Sequence, residues 1–482
     1  MTAASTTMRS VRREIAPASA RDARLRLMIA SGGDDRLWLD PVTRRNRYGC
    51  PAAPTPGELW FSSSTASCVS PRGWDAAGDA LDAITSSLGI AAWFDDLRRR
   101  LLGLYGAPGC AAVLAASGTE AELVILQLAQ SLAGGPLTNI VVAPAETGSG
   151  VPAAASGRHF LGRASLGSAV AKAERLAGWE DRELTLETVE IRSPCGSLRH
   201  QDEVDQEAAR KVRCAVNAGS FALLHVLDAS KTGRQGVSRA AAAHIVERHA
   251  GRALVVVDAC QLRCDSADIR RDLEAGFAVM ITGSKFAGGP AFCGALLLPA
   301  NLAAQLSEAS SAGPALAPYS AALDWPAALR GPFAAGLAHP ANLGLGLRWS
   351  AALAEIEAFE RISTARRAAL LGAFEQAVRA RVADEAGLIL ADATGDGGSP
   401  GLLAIQHADG SDPRTVYEAL GEGVGNPRPC HLGQPVAVGP RTALRLCASM
   451  PMISDAAEHG FSAIEADLDE AFGSWAALRA RR

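Results

Sequence analysis

The chain has 482 residues, 48% of them hydrophobic and 20% charged, with a formal net charge of -4 at pH 7. That length calls for more than one folding unit, and the apolar fraction is ample for large cores. A slightly acidic balance supplies no basic field for nucleic acid or anionic lipid, and no run of 18 apolar residues offers a bilayer span, so neither is expected as a partner.

In chain order, residues 1–44 read as an N-terminal tail. Arg9, Arg12, Arg13, Arg21, Arg24 and Arg26 stand there among Ser, Thr and Ala, without the apolar segment of a secretory signal. PAAPTPG, after Cys50, reads as loop and WFSSSTAS as a polar turn. Short apolar runs then alternate with helical patterns. CAAVLAA (110–116) precedes the helix TEAELVILQLAQSLA, and NIVVAP (139–144) follows it. FALLHVLDA (221–229) leads into RAAAAHIVERHA, and ALVVVDA (253–259), FAVMIT (277–282) and GALLLP (294–299) complete the series. Continuous apolar strands between helices predict an α/β fold, a large domain over 45–345 with a mostly parallel sheet flanked by helices. Helical spacing through Leu353, Ile356, Phe359, Leu370, Phe374 and Val378 predicts a connecting helix over 346–384. LLAIQH, PRTVYEALGE, TALRLCAS and a final helix predict a smaller C-terminal α+β domain over 385–482. The ten cysteines contain no CxxC pair, which reads as reduced thiols in a cytoplasm. Cys260, Cys264 and Asp265 come nearest to a metal pattern, and no metal is expected.

Of the 47 Lys plus Arg, only Lys172, Lys211, Lys231 and Lys285 are lysine. Arginine cannot act as an amine nucleophile, whereas a lysine with a depressed pKa can. In a parallel sheet, ligands gather beyond the carboxyl ends of the strands. Lys285 stands at such an end, in TGSKFAGG. Asp258 ends a run of three valines, where it either caps a turn or meets a cationic or donor partner. Ser117 and Glu120 have capping-box spacing around Gly118, which serves either a plain cap or a phosphate at the helix start. Lys172 and Lys211 fit solvated helix faces, Lys231 in DASKTGRQG fits a pocket or surface residue, and His225 fits a core histidine. Taken together, a phosphate at the helix start, a cationic ring nitrogen at Asp258 and an aldehyde on Lys285 describe one ligand, pyridoxal 5'-phosphate.

On SGTEA, VDACQ and TGSK, the sequence from about 45 to 470 resembles fold-type I pyridoxal-phosphate enzymes of the class V aminotransferase and cysteine desulfurase group. The resemblance implies Lys285 as Schiff-base residue and proton shuttle and Asp258 at the pyridine nitrogen. It implies Gln261 at the phenolic oxygen, and Gly118, Thr119, Thr282 and Ser284 at the phosphate. The sequence departs from the pattern at Ser284, where the family carries histidine before the lysine, and at Thr147, where it carries the ring-stacking histidine. TALRLCAS resembles the strand whose arginine takes the substrate carboxylate, which makes Arg445 the candidate and Arg428 the reserve. Cys430 lies near the desulfurase cysteine, although alignment on Gln434 and Pro435 puts Leu432 in its place. The implied protein is a cytoplasmic homodimeric enzyme acting on a small amino acid, with amino transfer as the default. The alternatives are a lyase or desulfurase that eliminates a β or γ substituent, and a non-catalytic sensor of a phosphorylated ligand.

Overall fold

The computed structural model describes residues 19–86, 89–106, 108–309, 315–392, 398–424 and 427–480. Residues 1–18 of the expected tail lie outside them. The larger sheet holds β2 (Ala111–Ala115), β3 (Leu137–Val142), β4 (Leu184–Val189), β5 (Phe221–Leu227), β6 (Ala253–Ala259), β7 (Ala278–Thr282) and β8 (Gly294–Leu298), ordered β2-β8-β7-β6-β5-β3-β4. Only β8 runs antiparallel to its neighbours. The smaller sheet holds β1 (Leu59–Phe61), β9 (Leu388–Leu390), β10 (Leu402–His407), β11 (Cys430–Val438) and β12 (Arg441–Cys447), ordered β1-β11-β12-β10-β9.

Alternation of side chains across the larger sheet explains why its strands read as unbroken apolar runs. Val255, Val257, Val279 and Ile281 enter one core with the helices Ile90–Tyr105 and Gln201–Asn217. Leu254, Val256, Met280 and Leu296 enter the other, under the helix Gly118–Ala133, whose residues Thr119 to Gln130 are all buried. Each such aliphatic side chain contributes roughly 1.5–3 kcal/mol on full burial, so a charge at Val256 would unseat the helix that begins the site. β4, LTLETV, was not expected from the sequence. It is an edge strand with most of its side chains only partly covered, so it shows no continuous apolar run.

Two expectations are corrected. Residues 20–29 form a helix, not a tail, and Leu25 and Ile29 enter the main core. The buried Arg348 guanidinium anchors this segment by donating to the carbonyls of Ile29, Ser31 and Gly32. Its local arginines hid it, because Arg21 pairs with Asp79 and Asp82 instead of facing solvent alone. The connecting stretch is two helices, Leu343–Glu360 and Thr364–Asp384, with Ser363 capping the second through Arg366 N. Ser and Thr compete with the helical backbone and start a new helix more readily than they continue one.

Candidate active site

The carboxyl ends of β2, β6 and β7 deliver three groups to one cavity of about 460 Å³. Gly294, the first residue of β8, stands in register with both Ala115 and Thr282, so one strand separates the start of the helix Gly118–Ala133 from the Lys285 turn. Asp258 is in register with Met280 of β7 and Leu227 of β5. Lys285 follows β7 by three residues, with its carbonyl accepting from Ser67 Oγ at 2.8 Å.

At the helix start, Ser117 Oγ accepts from Glu120 N at 3.2 Å, as a cap should. The Glu120 carboxylate does not close the expected box. It accepts instead from Ala116 N at 3.2 Å and from Ser165 Oγ. The amides of Gly118 and Thr119 make no hydrogen bond among the described residues, and both residues line the cavity. A Cβ on Gly118 would lie 2.7 Å from Cys260 Sγ, so a larger residue there would have to displace that thiol at the end of β6. Free amides at a helix start form an anion site.

Asp258 Oδ1 accepts from Cys260 N at 3.1 Å. Gln261 Nε2 donates to Ser64 O at 3.1 Å, while its buried Oε1 has no partner among the described residues. Thr282 and Thr147 line the cavity, but their hydroxyl protons go to backbone carbonyls, Cys260 O at 2.6 Å and Pro144 O at 3.1 Å respectively. Ser284 lines the cavity, and its hydroxyl makes no hydrogen bond among the described residues.

Arg445 reaches the cavity from β12 and is 2% exposed. Its partners are Gln434 O, Thr65 Oγ1 and Ser64 O, all uncharged. Burial lowers its pKa, and no carboxylate pairs with it among the described residues. Arg428 is elsewhere. Its guanidinium pairs with Asp467 and Glu470 on the last helix, and it does not line the cavity, so its place as reserve carboxylate ligand is withdrawn. Cys430 likewise lies outside the lining, and burial pushes its thiol up to about 12.

Two lining residues, Ser64 and Thr65 of the WFSSSTAS turn, carried no clear signal in the sequence, whereas Lys231, read as a pocket or surface residue, lines the cavity after β5. His225, expected as a core histidine, is buried and makes a 3.0 Å contact with Asn139 Oδ1, yet it also lines the cavity. Glu122, 3.5 Å away, raises its pKa against the effect of burial. Nothing local marks Ser64, whose bond to Gln261 spans 197 residues. In total, six cationic side chains and three carboxylates line the cavity, a balance that suits an anionic ligand.

No protein-family model and no curated protein matches the sequence. Solved structures do match its fold. A NifS-like protein aligns at TM-score 0.55 and 13% identity, over 88% of this chain and 100% of the other. A cysteine desulfurase from Escherichia coli aligns at TM-score 0.55 and 13% identity, over 86% of this chain and 95% of the other. A phosphoserine aminotransferase from Cytophaga hutchinsonii aligns at TM-score 0.52 and 14% identity, over 86% and 99%. The chain therefore has the fold-type I architecture of pyridoxal-phosphate enzymes, the fold its motifs resemble.

Proposed function

We propose that the protein is a pyridoxal-phosphate-dependent enzyme acting on an α-amino acid, and that its reaction is amino transfer. The observation that carries this reading is the convergence of Lys285, Asp258 and the free amides of Gly118 and Thr119 on one cavity. The residues present fit the group. The helix start offers donors to a phosphate, and Ser284 offers a hydroxyl beside it. Asp258 offers a carboxylate to a ring nitrogen, and Gln261 has a second Nε2 proton for a phenolic oxygen. Lys285 is the amine for the aldehyde carbon.

When bound, pyridoxal phosphate supplies a ring that takes up the electron pair left at the substrate Cα. Asp258 keeps a proton on the ring nitrogen. Arg445 binds the substrate carboxylate through its planar donor pair, replacing carbonyl partners with an anion. Lys285 Nζ would hold the cofactor aldehyde at rest and, once free, would carry the proton taken from the substrate Cα. Thr147, where the resemblance puts a stacking imidazole, would offer the ring only a small face, leaving the helix-start amides and Asp258 as the groups that would hold it. The reading includes a homodimer in a reducing cytoplasm, the latter in keeping with ten free cysteines.

Amino transfer is preferred over desulfuration because Cys260 is the only lining cysteine among the described residues, and burial pushes its thiol well above the usual range. The test is product analysis of the loaded protein with a panel of amino acids. One equivalent of keto acid per site, before any second substrate is added, supports transfer. Sulfide, alanine or ammonia supports the elimination alternative. A visible band that no amino acid shifts supports the sensor.

A further inference from the structure

Lys231 sits in a tight turn after β5, closed by Ser230 N to Arg234 O at 2.8 Å and by Gly233 N to Ser230 O at 2.9 Å. Glu146 fixes this turn from both ends. Its backbone carbonyl accepts from Lys231 N at 2.8 Å, and its carboxylate accepts from Ser230 Oγ at 2.6 Å and from Thr232 Oγ1. The same carboxylate pairs with Arg192, which also holds Asp392 at 2.7 Å. The Glu146 carboxylate is thus committed to Arg192 and to two hydroxyls, and Lys231 enters no ion pair among the described residues.

The two cations nearest in effect are Arg445 and Lys285, both lining the same cavity. Arg445 likewise pairs directly with no carboxylate among the described residues. Two largely desolvated cations, neither in a direct ion pair among the described residues and sharing only the field of a Glu146 already committed elsewhere, are costly unless a ligand brings further negative charge. One of those charges, on the reading above, is the α-carboxylate at Arg445.

We propose that Lys231 is the residue that selects the substrate side chain, and that the substrate is an amino acid whose side chain ends in a carboxylate. Both anionic groups of such a substrate would meet a cation in the cavity, one Arg445 and the other Lys231. A neutral side chain leaves Lys231 without an anion. The state of Lys231 agrees with this. Burial, then repulsion from Arg445 and Lys285, lowers its pKa to about 8, with Glu146 opposing only in part. A bound carboxylate favours its charged form, so the preference for an acidic ligand should fade as the pH rises through that value.

This inference rests on the proposed function, and its test separates the two. Succinate and butyrate, which differ by one carboxylate, are titrated calorimetrically into the full chain loaded with pyridoxal phosphate. Succinate is expected to bind about tenfold or more tightly than butyrate at pH 7. In Lys231→Met the ratio should fall to near one, and Lys231→Arg should restore most of it. In the unaltered protein the ratio should shrink between pH 7 and pH 9, an arm that needs no variant to fold. Equal binding of the two acids at pH 7, or a ratio untouched in Lys231→Met, overturns the inference. A protein that takes up no pyridoxal phosphate overturns the reading of the site itself. One that takes it up but shows no preference for succinate overturns the role of Lys231 alone.

Discussion

Arg445 donates to the carbonyl of Gln434 through both Nε, at 3.0 Å, and Nη2, at 2.7 Å, so a buried guanidinium presents its paired donors to a backbone oxygen where a carboxylate would suit them better. Lysine cannot reproduce that planar pair. Arg445→Lys is therefore expected to raise the KM for the amino-acid substrate by about 10²-fold while the cofactor absorption stays as it is. Spectral titration measures both. An unchanged KM would remove Arg445 from the substrate site.

Asp258 lies in register with Met280, one strand from the Lys285 turn, and its carboxylate accepts from the amide of Cys260. Asp258→Asn should leave the phosphate end of the site intact, so the protein still takes up the cofactor. Loss of the ring proton should slow exchange of the substrate Cα hydrogen with solvent by about 10²–10³-fold. Exchange into deuterated water, followed by NMR, gives the rate. Exchange at the original rate contradicts the assigned role.

Cys430 and Arg428 are expected to matter little to the reaction. A thiol pushed up to about 12 is almost wholly protonated at pH 7 and is a poor nucleophile. Cys430→Ala should keep the turnover. Arg428 is about a third exposed in its ion pairs, so Arg428→Ala should cost no more than about 1 kcal/mol in a denaturant titration, with KM unaffected. Loss of turnover in Cys430→Ala would favour the desulfurase.

Glu120 predicts a pH dependence of stability. Burial pushes its carboxyl up to about 8, with Ser165 and Ala116 N pulling it back in part, Asp34 adding to the rise and Arg36 opposing it. The folded state therefore binds more protons than the unfolded chain between pH 4.5 and 8, and stability falls over that window as pH rises. Glu120→Gln keeps the shape and removes the ionisation. Its melting temperature relative to the unaltered protein should gain at least about 2–4 °C between pH 5 and pH 8.5. Parallel melts showing the same difference at both pH values would contradict it.

The sequence made six strands of the large sheet legible, because β2, β3, β5, β6, β7 and β8 are covered on both faces and read as unbroken apolar runs. β4 escaped because an edge strand keeps partly exposed side chains. β1 escaped because its three residues pair with β11, near the other end of the chain, and no local pattern encodes that pairing. In the site, Asp258, Lys285 and Gly118 were legible as strand ends and a helix start. The turn at Ser64 and Thr65 was not, since it holds Gln261 and Arg445 through a carbonyl and a hydroxyl that leave no sequence pattern. Arg428 looked free to bind substrate only because its acidic partners lie on the last helix, 39 and 42 residues away.

The most direct measurement is borohydride reduction of the protein after incubation with pyridoxal phosphate, followed by peptide mass mapping. The account predicts a single reduced adduct on the peptide carrying Lys285, and none in Lys285→Ala. An adduct on Lys231 instead, or no adduct at all, would contradict it.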